Sequence, residues 1–210
     1  MIKAIIMDFD GTIVDSMNLW QHLASTYLKN LNISDDKIDQ KVKDMTLKES
    51  SIYLKKHFQL EQSIETIQNQ ITNLIVHQYL TQVTLKKDVE KFILECNQKG
   101  IQLYIYTTNT TKIVEITLKR FGLRKYFNQI LTCNDFNFNK TTIDDYSQLL
   151  KILNFDQQEV IFIEDSYVVL KTLTSLNYQT VGLQDGEDIQ EVCDVYLTSW
   201  KKRDRIWKKF

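Results

Sequence analysis

Two aspartates one residue apart close the first apolar run of the chain: residues 5 to 12 read Ile-Ile-Met-Asp-Phe-Asp-Gly-Thr. An apolar run stopped by acidic residues and a glycine predicts a strand buried on both faces, followed by a tight turn. Strand side chains repeat every second residue, so Asp8 and Asp10 leave its end pointing the same way. Such carboxylates repel one another and are kept together mainly by a proton or a divalent cation. All-oxygen ligation suits a hard ion, and Mg²⁺ is the natural partner. A second apolar run, Val160-Ile-Phe-Ile163, also ends in carboxylates, at Glu164-Asp165-Ser166. The run Leu103–Tyr106 ends instead at Thr107-Thr108-Asn109. Hydroxyls and backbone N–H groups at the start of a helix make a cradle for an anion, although the same residue types are common helix caps. Lys140 sits in a loop ahead of a helix and offers a compact point charge. The plain alternative, in a chain with so many lysines, is a solvated surface lysine.

The elements that must position these residues are legible from about residue 88 onward. The pattern predicts a helix at 88–98, a strand at Ile101–Tyr106, and a helix at 111–121 stopped by Gly122. A strand at Gln129–Thr132, a helix at 142–153, a strand at Val160–Ile163, a helix at 166–176 and a strand at Thr180–Gly182 follow. Short apolar strands alternating with ten-residue helices imply βαβ units, hence an α/β fold with a parallel sheet covered on both faces. Residues 16 to 80 have a different texture. Leu19, Leu23, Tyr27 and Leu28, then Ile64, Ile67, Ile71, Leu74 and Ile75, recur at helical spacing. The expectation is a discontinuous α/β core, residues 1–14 and 87–210, with an all-helical cap domain at 15–86. Open parallel sheets carry their sites at the carboxyl ends of the strands, and the insertion leaves from that end. It would act as a lid that excludes water and selects the substrate. Asp15 would cap the first inserted helix or anchor the hinge, and Trp20 is expected in the core of the cap.

Composition narrows the partners. The 210 residues carry 26 Lys and Arg against 27 Asp and Glu, a formal charge of -1. No large field draws such a chain to nucleic acid or an anionic membrane. The opening apolar run is short and interrupted by Asp8, which fits neither a signal peptide nor a membrane span. Cys96, Cys133 and Cys193 are odd in number and far apart, so reduced thiols, a cytoplasmic setting and small buried hydrophobes are expected. His22, His57 and His77 lack metal-ligand spacing. With no proline and five glycines, turns must rely on Asn, Asp and Ser. The basic, aromatic stretch Trp200–Phe210 is expected to pack its rings on the core.

The D-x-D-G-T run resembles the nucleophile motif of the haloacid dehalogenase-like phosphohydrolases. Thr107 matches the second motif of that family, a Ser or Thr closing its strand, with Thr108 beside it. Lys140 matches the third, though Asn139-Lys140-Thr141 stands where Gly-Lys-Pro is usual. Glu164-Asp165-Ser166 resembles the fourth motif of the branch that contains small-molecule phosphatases and β-phosphoglucomutase. Val169 stands where that branch often has glycine. The resemblance spans nearly the whole chain and implies a Rossmann-like core with a helical cap. It implies that Asp8 attacks phosphorus, that Asp10 handles the proton, and that Thr107, Thr108 and Lys140 hold phosphate. Mg²⁺ would be bound by Asp8, the backbone carbonyl of Asp10 and Asp165, with Glu164 bordering the pocket. The implied substrate is a small phosphorylated metabolite. A phosphomutase is the alternative within this chemistry. Its relatives grip a second phosphate with a cap arginine, where this chain has Leu47 beside Lys48 and no arginine anywhere in 15–86. A non-catalytic binding protein of the same fold is the alternative of another class. A response-regulator receiver fits neither the length nor the order of the acidic residues.

Overall fold

The computed structural model describes residues 1–43 and 45–210. The chain divides into two compact units, Met1–Asp15 with Thr84–Phe210, and Ser16–Val83.

The first unit is a Rossmann-like α/β fold. Its strands are β1 (Ala4–Met7), β2 (Val14–Asp15), β3 (Thr84–Leu85), β4 (Gln102–Thr107), β5 (Phe127–Thr132), β6 (Val160–Glu164), β7 (Gln179–Leu183) and β8 (Val195–Leu197). Six of them form one parallel sheet in the order β5-β4-β1-β6-β7-β8. All of β1 and β6 is buried, as apolar runs in a sheet covered on both faces must be. The chain builds outward from β1 through β4 to β5, then returns past β1 to add β6, β7 and β8. The crevice at such a reversal lies outside the carboxyl ends of the strands. Register brings those ends level: Met7 pairs with both Ile105 and Ile163.

Helices cover the sheet because their apolar residues fall on one stripe. In Val89–Gln98 the buried residues are Val89, Phe92, Ile93 and Cys96. In Thr111–Arg120 they are Ile113, Val114, Thr117 and Leu118. The latter helix stops as Gly122 predicts. Gly122 has φ +69°, its N–H reaches the Lys119 carbonyl, and the Leu123 N–H reaches Leu118. Other left-handed positions are taken by Asn32, Asn137, Asn154 and Asn177, with Gln59 and Asp88, so asparagine does most of the work of the scarce glycines. Cys96 and Cys133 are buried free thiols and Cys193 is half-buried. Val169 joins the core beneath the sheet.

Two features go beyond the sequence pattern. The edge strand β8 extends the sheet, and β2 pairs antiparallel with β3 in a two-residue ribbon. Asp15 belongs to that ribbon, opposite Thr84, with its carboxylate 3.6 Å from Lys86. It therefore does not cap a helix; Met17–Gln21 starts after Ser16, which makes no side-chain cap bond.

The second unit is helical: Met17–Gln21, Leu23–Lys29, Ile38–Val42, Leu47–His57 and Ile64–Thr81. Thr46 and Glu49 form a reciprocal capping box on the fourth helix. Ile67, Ile71, Ile75 and Tyr79 give the last helix its buried stripe. Trp20 differs from its expected core position. It is 38% exposed and donates Nε1–H to Tyr79 Oη at 3.0 Å. With Leu54, Ile71 and Ile75 among others, Trp20 lines a cavity of about 290 Å³ within this unit. No helix among the described residues is long and apolar enough to cross a membrane.

Candidate active site

Asp8 is the first residue beyond β1, and its N–H donates to the Ile163 carbonyl of β6 at 2.9 Å. That bond sets Asp8 level with Glu164 and Asp165 at the end of the neighbouring strand. The three carboxylates offer oxygens that all lie within 4.8 Å of one another. Lys140 enters the same space. Its Nζ donates to Asp8 Oδ1 and, at 2.6 Å, to Glu164 Oε1. All three side chains of this bridge are buried, so Lys140 is no surface lysine.

Such burial is tolerated because the charges are paired and hydrogen-bonded. Burial pushes the Asp8 carboxyl well above the usual range; Lys140 opposes this, while Glu164, Asp165 and Asp10 add to it. Burial alone would lower the Lys140 ammonium, but Asp8 and Glu164 outweigh it and keep the amine charged. Burial and the neighbouring Glu164 push Asp165 up to about 7.

The lysine loop holds its shape without the Gly and Pro that usually flank it. The Asn139 N–H donates to Asp145 Oδ2 at 2.6 Å, and Asn139 Oδ1 accepts the Thr141 N–H at 3.0 Å. Tyr146 Oη donates to the Lys140 carbonyl at 2.7 Å. A side-chain turn thus replaces the backbone preferences of glycine and proline.

Asp10 stands in the turn after Asp8 and is less buried. Its Oδ2 accepts from Asn109 Nδ2 at 2.9 Å. Sequence reasoning assigns Asn109 no role, and its place two residues beyond the strand-end Thr107 is the one signal that points to it. Thr107 is buried, with Oγ1 accepting the Asn109 N–H at 3.1 Å. Thr108 is exposed. The helix behind them is capped one residue further on, by Thr110.

Gly11 permits the turn and the close approach together. Its φ is +77°, and a Cβ there would meet Asp165 Oδ2 at 2.2 Å. Thr12 donates its hydroxyl to Asp165 Oδ1 at 3.3 Å. An all-oxygen cluster, opened by a glycine that admits no side chain, fits a hard divalent cation. Among side chains it is Glu164, more than Asp10, that completes the cluster with Asp8 and Asp165.

A Rossmann-like sheet with acidic side chains gathered at the ends of its central strands defines the class as an α/β-core enzyme. The family model of the haloacid dehalogenase-like hydrolases matches residues 5–182, and the chain belongs to that family. Solved structures agree in fold. A candidate β-phosphoglucomutase from Thermotoga maritima superposes with a TM-score of 0.84 at 18% identity over 99% of each chain. A predicted phosphoglycolate phosphatase from Haemophilus somnus gives 0.80 at 18% identity over 98% of each. The candidate hydrolase YfnB from Bacillus subtilis, solved bound to magnesium, gives 0.74 at 15% identity over 98% of each. No curated protein matches the chain in sequence.

Proposed function

We propose that the protein is a Mg²⁺-dependent phosphatase that hydrolyses a small phosphorylated metabolite through an aspartyl-phosphate on Asp8. The observation that carries this reading is the bridge of Lys140 between Asp8 and Glu164, with Asp165 alongside. Asp8, Glu164 and Asp165, with the backbone carbonyl of Asp10, would hold the cation. When bound, it screens the repulsion between an anionic nucleophile and an anionic phosphate. Asp8 then attacks phosphorus, forming a new P–O bond as the ester P–O bond breaks. Asp10, fixed by Asn109, gives its proton to the departing alkoxide. In the second half, Asp10 takes a proton from water as the water oxygen attacks phosphorus and releases Asp8. Lys140 and the Thr107 strand end hold the non-bridging oxygens.

Uncatalysed phosphate-monoester hydrolysis needs up to ~10²¹-fold acceleration, so losing the nucleophile is close to fatal. Asp8→Asn is expected to fold normally and release no phosphate from any member of a phosphorylated-metabolite panel in Mg²⁺. A folded Asp8→Asn protein with most of its turnover refutes the role, and parent activity indifferent to EDTA refutes the metal. The absence of arginine from the helical insertion favours hydrolysis over a phosphomutase. With β-glucose 1-phosphate the expected product is free phosphate, with no isomerised sugar phosphate.

A further inference from the structure

A fourth carboxylate faces the acidic cluster from a part of the chain that no motif reaches. Asp185 lies two residues beyond β7, outside the residues matched by the family model. Its Oδ1 accepts from Lys86 Nζ at 2.8 Å. Its Oδ2 is buried and meets no hydrogen-bond donor among the described residues. Gly11 shows where that oxygen points. A Cβ built on Gly11 would lie 2.8 Å from Asp185 Oδ2 and 2.2 Å from Asp165 Oδ2. Both oxygens converge over one bare Cα, so Asp185 approaches the cluster from the side that Gly11 leaves open. Lys86 is itself fixed: its N–H donates to the Ile13 carbonyl at 2.9 Å, and its ammonium is shared with Asp15.

A buried anionic oxygen is costly unless a donor reaches it. Mg²⁺ keeps several of its waters when proteins bind it, and each is a strong donor. We propose that Asp185 is a positioning residue of the metal site: its Oδ2 accepts a hydrogen bond from a water carried by the cation, and Lys86 holds the carboxylate in that pose. This inference rests on the reading of Asp8, Glu164 and Asp165 as metal ligands. Partners of this kind orient what the direct ligands bind, and their loss typically weakens metal affinity about 10- to 100-fold.

The test is calorimetric titration of the full chain with MgCl₂ alone, then with CaCl₂, without substrate. Parent, Asp185→Ala, Lys86→Met and Asp165→Asn are compared, with circular dichroism of the metal-free proteins to confirm folding. Asp185→Asn, which keeps the side-chain volume, replaces Asp185→Ala if the latter does not fold. Asp185→Ala and Lys86→Met are expected to weaken Mg²⁺ binding about tenfold or more. The loss should be smaller for Ca²⁺, which sheds water more readily, a contrast that a merely structural defect would not produce. Parent-like Mg²⁺ affinity in the Asp185 variant, with binding lost in Asp165→Asn, overturns the inference and leaves the metal site standing. Parent-like affinity in Asp165→Asn removes the metal-site reading and this inference with it.

Discussion

Lys140 lets two carboxylates sit buried side by side at the heads of β1 and β6. Lys140→Met would leave Asp8 and Glu164 without their common donor. Removing one partner of a buried pair costs about 3–5 kcal/mol, more than replacing the whole pair would. The unfolding free energy of metal-free protein in urea is expected to fall by that amount, seen as a lower midpoint with an unchanged slope. An unfolding free energy within about 0.5 kcal/mol of the parent would mean that the bridge contributes little. Adding Mg²⁺ should restore part of the loss, because a cation among the carboxylates replaces the missing charge. Most of this site was legible in the sequence, because strand ends turn neighbours in sequence into neighbours in space. Asp8, Asp10, Glu164 and Asp165 stand out on that ground, whereas Lys140, in a loop, stood out only through the resemblance to the family's third motif. Asp185 and Lys86 were not: they meet Asp165 and Asp15 only through the fold, and an Asp or Lys in a loop carries no signature of its own.

At the scale of elements, the chain solves its shortage of glycine with asparagine. Asn154 ends the helix Ile143–Leu153 in a left-handed conformation, φ +58°, with its N–H on the Leu150 carbonyl. A β-carbon without a compensating polar side chain costs about 1–2 kcal/mol there. Asn154→Ala is expected to lose about 1 kcal/mol in urea unfolding, and Asn154→Gly to lose less. Equal losses in both variants would show that conformation is not the cause. The helices that alternate with the sheet strands were legible to within a residue or two because stop signals and apolar stripes agree, as at Gly122. The two-residue β2 and β3 and the three-residue β8 were not. A run so short shows no period, and it becomes strand only because a neighbour supplies the ladder.

For the α/β unit as a whole, the C-terminal stretch is a structural tie. Trp200 is 1% exposed, stacks on Phe92 at 4.7 Å, and donates Nε1–H to the Thr12 carbonyl at 3.0 Å. Trp207 also stacks on Phe92, at 5.7 Å, and Arg203 pairs with Glu95 at 2.5 Å. The tail therefore clamps the helix Val89–Gln98 and the turn that carries Gly11 and Thr12, and its aromatics pack on the core as expected. Trp200→Ala is expected to cost about 3–5 kcal/mol, the usual range for emptying a buried aromatic site. Trp200→Phe keeps the stack and loses the hydrogen bond, so about 1 kcal/mol is expected. A thermal midpoint in Trp200→Ala equal to that of the parent would contradict the clamp. The rings were readable as core-seeking from their type. That one indole reaches the turn after β1 was not, because 188 residues separate Trp200 from Thr12.

The proposed chemistry makes the Asp8 carboxylate the group that carries phosphorus. A crystal structure grown with Mg²⁺ and beryllium fluoride measures this directly, since the fluoroberyllate takes the place of a phosphoryl group on the nucleophile. The predicted result is beryllium bonded to an Asp8 oxygen, with Lys140 on its fluorines and the cation against Asp165. An unmodified Asp8 in a site that holds Mg²⁺ and fluoroberyllate elsewhere would contradict the account.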